Sequence, residues 1–81
     1  MPFSYVYILQ SRPSPAHFYV GLTDNIQERL EHHNRAGTTS TAEFRPWTIR
    51  AALAFPDRPK ARKFELYLKS ASGRAFATRH F

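Results

Sequence analysis

Two short apolar runs that carry tyrosines, separated by a turn with two prolines, constrain the fold of this chain most strongly. Residues 3–10 alternate with a period of two and are rich in aromatic and β-branched residues, which is typical of a strand that is apolar on both faces. The prolines cannot donate to a strand ladder, so the chain turns and residues 17–22 form the return strand of a hairpin. Because side chains alternate, Tyr7 and Tyr19 share one face and lie side by side in the expected register. Gly21 is expected to close the second strand, where its missing side chain permits close backbone approach beside a ligand.

A helix follows the hairpin directly. Asp24 is suited to be its N-cap, and Gln27 stands three residues later, where a capping partner belongs. Gly37 is a plausible stop, so the pattern predicts a helix over about 24–36. The polar residues 37–41 predict a connecting loop whose hydroxyls could contact phosphates.

The second half of the chain predicts a third strand and further helix. After Arg45-Pro46, residues 47–55 alternate and have one strongly apolar face. Residues 60–70 have helical periodicity, Gly73 is expected to break that helix, and residues 74–81 form a short helix or a tail. The element order is therefore β-β-α-β-α with a short C-terminal helix or tail, an α+β arrangement.

The charge of the chain is strongly uneven. Twelve Lys and Arg stand against six Asp and Glu, a net charge of +6, and residues 56–81 hold seven basic and two acidic residues. Such a field favours a polyanionic partner, and nucleic acid is favoured over a membrane because no segment combines basic character with a broad apolar face. The alternative is a basic surface that only aids solubility.

Length and composition predict one domain over residues 1–81. A chain of this size has a small core, and without cysteine it has neither a disulfide nor a thiolate metal site to support that core. There is no basic, apolar leader at the N-terminus, and no apolar run approaches the ~18 residues that a membrane span needs. The sequence therefore predicts a cytoplasmic protein.

Glu65 is the most diagnostic single residue. It lies within the apolar stripe of the helix predicted over 60–70, and an ionised carboxylate there must be paired, hydrogen-bonded or metal-bound. Arg29 could form a structural ion pair with it. Alternatively, Glu65 binds one divalent cation together with a substrate phosphate, and Arg29 recognises a phosphate through its fork of donors. Lys69, one turn after Glu65, could pair with the carboxylate or reach a phosphate.

The tyrosines and His33 have both structural and chemical interpretations. Tyr7 and Tyr19 could be ordinary cross-strand aromatic residues, or they could orient a water molecule and bond a phosphate oxygen. His33 could be a helix-face histidine satisfied by a carbonyl, or it could be a polar group in a cleft that accepts a proton or hydrogen-bonds a tyrosine. The residues alone leave these alternatives open.

The ordered combination of four segments resembles the GIY-YIG nuclease superfamily, and most of all the small stand-alone members related to the catalytic domain of the excision-repair nuclease UvrC. The segments are Tyr5-Val6-Tyr7-Ile8-Leu9, Tyr19-Val20-Gly21-Leu22-Thr23, Arg29-Leu30-Glu31-His32-His33-Asn34 and Glu65-Leu66-Tyr67-Leu68-Lys69. One departure is that Tyr5 stands where the first glycine of the family name would be.

The resemblance implies a three-stranded antiparallel sheet flanked by helices and a one-metal site for phosphodiester hydrolysis. By motif, the implied catalytic residues are Tyr7, Tyr19, Arg29, His33 and Glu65, with Glu65 binding Mg²⁺ or Mn²⁺. Gly21 and Thr23 would be structural residues of the site. Basic residues would follow the nucleic-acid backbone, DNA rather than RNA, namely Arg45, Lys63, Lys69 and Arg74.

Two other functions compete with a nuclease. A nucleic-acid-binding module of the same fold would have weak activity or depend on a recruiting protein partner. A purely structural domain would hold a buried Arg29–Glu65 pair, which explains those two residues but leaves the tyrosines unexplained.

Overall fold

The protein is described by a computed structural model over residues 3–35 and 42–81. The predicted loop 37–41 and the Gly37 helix stop lie outside these residues. Six elements follow in chain order: β1 (Ser4–Ser11), β2 (Phe18–Thr23), α1 (Ile26–Asn34), β3 (Trp47–Phe55), α2 (Arg58–Leu68) and α3 (Ala71–His80).

The three strands form one antiparallel sheet in the order β2-β1-β3. The predicted fold class is therefore confirmed, and β1 is the central strand. The reason lies in the composition of β1, which buries Val6 and Ile8 on one face and Tyr7 and Leu9 on the other. A strand apolar on both faces needs cover on both sides, and helices supply it.

The two faces of the sheet have separate cores. On one face, Tyr7, Leu9 and Trp47 pack with Ile26 and Leu30 of α1. The opposite face packs against α2 and α3, in a cluster whose buried members are Val6, Ile8, Ala61 and Leu68. The helix that carries Arg29 and the helix that carries Glu65 therefore lie on opposite faces of the sheet.

A bulge in β3 corrects the prediction that residues 47–55 have a single apolar face. Ile8 pairs with Ala51 but Leu9 pairs with Ile49, so Arg50 is an extra residue on the β3 side. The bulge reverses the alternation. As a result, Trp47 packs with Leu9 on the α1 face, while Ala51 belongs to the core under α2 and α3.

The helix boundaries also differ from the predicted ones. Asn25, rather than Asp24, caps α1, because its side chain accepts a hydrogen bond from the Glu28 amide at 3.0 Å. The N-cap of α2 is Asp57, with a proline in the first turn, so this helix begins at Arg58, two residues before the predicted start. Strand β2 runs through Gly21 and ends at Thr23.

Gly73 does not break a helix, as the sequence suggested, but lies inside α3. The break occurs at Lys69 and Ser70, where Ser70 caps α3 by accepting a hydrogen bond from the Gly73 amide at 3.1 Å. A Cβ at Gly73 would collide with the Tyr67 backbone carbonyl. The glycine is therefore a packing residue that allows α3 to turn tightly against the end of α2.

Replacing Gly73 by alanine is expected to destabilise the protein despite the higher helix propensity of alanine. The added methyl group meets backbone, which cannot move aside as a flexible side chain would, so we expect a loss of about 3 kcal/mol in the free energy of unfolding. Urea unfolding followed by circular dichroism measures the loss. Ser72→Ala, at an exposed position of the same helix, is the control and should change stability little. A neutral or stabilising Gly73→Ala would contradict this account.

Candidate active site

Tyr7 is the centre of the candidate site. It lies on β1 opposite Gly21 of the edge strand β2, and only 2% of its surface is exposed. A Cβ at Gly21 would collide with the hydroxyl end of the Tyr7 side chain, so the phenol occupies the space above the glycine. The glycine is thus required for the tyrosine to extend across β2 toward the edge of the sheet.

Tyr19 and His33 pack around Tyr7. Tyr19 pairs with Leu9, so it stands diagonal to Tyr7 rather than beside it as predicted, and the two ring centroids are 6.3 Å apart. The His33 ring lies 4.6 Å from the Tyr19 ring, and its Nε2 atom is 3.2 Å from the Tyr7 hydroxyl. The hairpin and α1 therefore bring both phenols and one imidazole into a single cluster.

Thr23 fixes the helix that carries His33. Its hydroxyl is buried, accepts a hydrogen bond from the Asn25 amide at 3.1 Å and donates to the Asn25 carbonyl at 3.4 Å. This pair of bonds joins the end of β2 to the N-cap of α1. At the other end of α1, the Asn34 side chain bonds both backbone groups of Trp47 in β3. The helix is held at both ends, which sets the position of His33 over the sheet.

The electrostatic environment of Tyr7 keeps its hydroxyl protonated. Burial is the largest cause and the neighbouring Tyr19 the second, and together with the Glu65 carboxylate they raise the pKa of Tyr7 to about 12. The positive charge of Arg29 acts against this increase. Arg29 and Glu65 therefore both act on the Tyr7 hydroxyl, although their helices cover opposite faces of the sheet.

His33 is held in its neutral form. Burial, and then the nearby His32 and Arg29, lower the pKa of His33 below its ordinary value of 6.5. If the proton of the neutral imidazole is on Nδ1, its Nε2 atom is the acceptor of a hydrogen bond from the Tyr7 hydroxyl. The pair is therefore arranged as a phenol that donates to a neutral base.

Glu65 is buried on α2 and is paired with two cations, Arg62 of the same helix and Lys69 at its C-cap. Its Oε1 atom accepts from Arg62 at 2.8 Å and its Oε2 atom from Lys69 at 2.9 Å. Burial raises the pKa of Glu65, but Lys69 and Arg62 outweigh that effect and lower it overall, so the carboxylate is ionised at neutral pH. Of the two alternatives for Lys69, pairing with the carboxylate is the one observed.

The structural Arg29–Glu65 ion pair considered from the sequence is not formed between these two residues. Glu65 has the partners described above, and Arg29 lies one turn before His33 at an exposed position. Sequence reasoning missed Arg62 as a partner of Glu65. The signal was present, since Arg62 stands three residues before Glu65 at helical spacing.

The four predicted nucleic-acid contacts fall into two groups. Lys69 and Arg74 line a groove beside Tyr19. Arg45 and Lys63 are exposed, and neither is among the residues that line this groove.

The donor set decides what kind of metal site the cluster could provide. Among the residues that the structure describes, no group of three or more His, Cys, Asp or Glu side chains could hold a metal ion. One ionised carboxylate does fit a hard divalent cation that is completed by a phosphate and water, which is the usual Mg²⁺ arrangement. The site therefore fits a cation bound jointly with substrate, with Glu65 as the protein ligand.

None of the helices described is long and apolar enough to cross a bilayer.

Comparison with known proteins gives a consistent result. Residues 3–79 match the model of the GIY-YIG catalytic domain. Two yeast proteins named structure-specific endonuclease subunit SLX1 are similar: that of Scheffersomyces stipitis is 42% identical over 74% of this chain and 20% of its own length, and that of Debaryomyces hansenii is 39% identical over 93% of this chain and 22% of its own. The chain thus spans about a fifth of the length of these relatives.

A solved structure has the same fold. The solution NMR structure of the UPF0213 protein BH0048 from Bacillus halodurans matches with a TM-score of 0.57 and 28% sequence identity. The match covers 94% of this chain and 80% of that one.

Proposed function

The chain belongs to the GIY-YIG catalytic domain family, and we propose that it is a metal-dependent endonuclease that hydrolyses phosphodiester bonds in nucleic acid. The observation that carries this proposal is the convergence on one hydroxyl. His33 lies in hydrogen-bond reach of the Tyr7 oxygen, Tyr19 packs beside it, and Arg29 and Glu65 act on it from two helices. A structural core would not need three ionisable groups directed at a buried phenol.

Tyr7 and His33 would activate the attacking water as a relay. Because the pKa of Tyr7 is about 12, the phenol is not ionised at neutral pH and cannot be a ready-made base. It can take a proton from water only as it gives its own proton to neutral His33, 3.2 Å away. The resulting hydroxide attacks phosphorus, the bond to the leaving oxygen breaks with its electron pair going to that oxygen, the leaving oxygen takes a proton from water, and His33 returns its proton to solvent.

Arg29 and Tyr19 would bind the phosphate. The guanidinium of Arg29 is always charged and presents a fork of donors that matches two phosphate oxygens, so it stabilises the charge that develops on them. Tyr19 lies diagonal to Tyr7, with the two ring centroids 6.3 Å apart, and its hydroxyl would bond a phosphate oxygen.

Glu65 would hold one Mg²⁺ or Mn²⁺, which when bound would supply Lewis-acid stabilisation of the charge on the phosphate and the leaving oxygen. Lys69 is free to turn from the carboxylate toward a phosphate, since its side chain is 49% exposed.

DNA is proposed as the substrate rather than RNA, in repair or recombination, and the similar yeast proteins, which are named structure-specific endonuclease subunits, support a nuclease that acts on structured nucleic acid. The same word, subunit, supports a recruiting protein partner for this chain. The net charge of +6 suits either nucleic acid.

A second function, a nucleic-acid-binding module with weak or partner-dependent activity, is favoured by one observation. Both oxygens of Glu65 are bound by Arg62 and Lys69, so a cation must compete with two ion pairs before catalysis can begin. A partner or a bound phosphate that draws Lys69 away would remove this obstacle.

Cleavage assays distinguish the two functions. The purified protein is incubated with supercoiled DNA, branched DNA and RNA in Mg²⁺, in Mn²⁺ and in EDTA. We expect cleavage of DNA that requires a divalent cation. Binding that is the same in EDTA, without cleavage of any substrate in either metal, would reject the nuclease in favour of the binding module.

A further inference from the structure

We propose that a groove beside the candidate active site binds an unpaired nucleotide of the nucleic-acid substrate. The groove has a volume of about 480 Å³ and an apolar floor formed by Ile8, Val20 and Leu68. Its size lies within the range of about 300–1,000 Å³ that small-molecule sites occupy. The proposal rests on the proposed function, because nucleic acid is the ligand of the neighbouring site.

Phe18 provides an aromatic surface in this groove. It is the first residue of the edge strand β2, and 49% of its surface is exposed. The Arg50 guanidinium lies 5.2 Å from the centroid of the Phe18 ring and donates to the Gln10 side chain at 3.2 Å. Arg50 therefore covers one side of the Phe18 ring, while about half of the surface of Phe18 remains exposed to solvent. An exposed ring beside a guanidinium is how proteins stack single bases without regard to sequence.

The charges around the groove select a ligand that carries phosphate. Arg50, Lys69 and Arg74 line it, and none of its described lining residues is acidic. An uncharged apolar ligand would leave these three cations unused. A nucleotide matches both the apolar surface and the cations of the groove. Its base would lie against Phe18 and the apolar floor, and its phosphates would lie at the cations.

The groove borders the candidate active site, because two of its lining residues also contact residues of the site. Tyr19 lines the groove, and the centroid of its ring also lies 4.6 Å from that of the His33 ring. Lys69 lines it and also bonds Glu65 at 2.9 Å. A nucleotide in the groove would therefore be joined by its backbone to a phosphate at the catalytic cluster. Bases inside a duplex are paired and stacked and cannot enter such a groove, so the nucleotide must be unpaired.

Binding of three fluorescent DNA duplexes tests the subsite. One is blunt, one carries a single-stranded thymidine extension, and one carries an abasic extension of the same length that keeps the phosphates but lacks bases. Fluorescence anisotropy is measured in EDTA, so that cleavage plays no part. We expect the thymidine extension to bind about tenfold more tightly than the abasic one, as stacking of a base on an aromatic side chain implies.

Variants of Phe18 identify the residue responsible. Phe18→Ala and Phe18→Leu are both expected to abolish the difference between the thymidine and abasic extensions, because leucine keeps an apolar side chain but has no ring. Phe3→Ala is the matched control, since Phe3 is an equally exposed phenylalanine, at 41%, and does not line the groove. Thermal melting by circular dichroism shows that each variant is folded.

Equal binding of the thymidine and abasic extensions by the unaltered protein would overturn the proposal, and so would an undiminished preference in both Phe18 variants. The result is independent of the nuclease assay. A protein that cleaves DNA but does not distinguish the two extensions would lack the subsite alone, whereas a preference without cleavage in any metal would reject only the nuclease.

Discussion

Glu65→Gln is expected to reduce the rate of metal-dependent cleavage by roughly 10³-fold, since a cation at the reacting phosphate contributes several kcal/mol. Glutamine has the size of glutamate but lacks the charge that a hard cation requires. The groups that surround this side chain are cations, so no other residue there replaces the lost ligand. Single-turnover rates over a series of Mn²⁺ concentrations measure the effect.

The stability of the Glu65→Gln variant separates catalysis from folding. Arg62 and Lys69 have side chains that are 60% and 49% exposed, so water can solvate them when the carboxylate is lost. We expect a loss of no more than about 1 kcal/mol at neutral pH. Because the pKa of Glu65 is lowered from 4.5, its ion pairs stabilise the native protein above that pH and are lost as the pH falls through the folded-state value. The Glu65→Gln variant should therefore not show this loss of stability as the pH falls.

Glu43→Gln is the control for the change of charge, because Glu43 is an exposed carboxylate outside the cluster. It should cleave at the rate of the unaltered protein. If Glu65→Gln keeps full metal-dependent activity, Glu65 does not hold the cation and the proposed metal site is rejected.

Tyr7→Phe is expected to lower the cleavage rate by about 10²–10⁴-fold, the range that general acid–base catalysis contributes. The substitution removes the hydroxyl that connects the attacking water to His33 and leaves the ring over Gly21 in place. His33→Gln should cause a similar loss, since glutamine can hydrogen-bond but cannot take up the proton. The two losses should not add in the double variant, because both residues serve one relay.

The pH dependence provides a second measurement of this relay. Neutral His33 is required and its pKa is lowered, so cleavage should persist at pH values where an ordinary histidine, with a pKa of 6.5, is already protonated. In an absorbance titration of tyrosinate, one tyrosine should ionise near pH 12, and Tyr7→Phe should remove that step. A raised pKa stabilises the native state below pH 10 and this contribution disappears as the pH rises through about 12.

Tyr5→Phe is the matched control for Tyr7→Phe. Tyr5 lies on the same strand, opposite Thr23, and its ring packs near Phe3 rather than His33. Removing the Tyr5 hydroxyl should leave both the cleavage rate and the tyrosine ionisation near pH 12 unchanged. A Tyr7→Phe variant as active as the Tyr5→Phe variant would exclude the relay.

Much of this molecule follows from local sequence. Alternation in residues 3–10 and 47–55 predicted strands, and both runs are strands. Ile26, Leu30 and His33 stand at helical spacing on one stripe of α1, and the structure buries His33 there. These signals are local because the direction of the side chains repeats at a fixed interval along a helix or a strand, so apolar residues at that interval lie on one face.

Other features depend on contacts between distant residues. The bulge at Arg50 arises where β3 pairs with β1, and alternation within β3 alone does not reveal it. From the sequence alone Gly73 resembles a helix breaker, and only the structure shows that the Tyr67 backbone carbonyl packs against it. The diagonal position of Tyr19 relative to Tyr7 depends on the register of the hairpin, which the turn sets.

The sequence by itself determined the type and order of the elements, the basic charge and the set of candidate catalytic residues, because residue type and spacing carry that information. Only the tertiary structure decided which of those residues act together. It placed the Tyr7 phenol over Gly21 and within reach of His33, and it gave Glu65 two cationic partners from α2 and its C-cap in place of Arg29. Hydrogen bonds and pKa values depend on distances of a few ångströms between residues far apart in the chain, and these distances exist only once the sheet and its helices have packed.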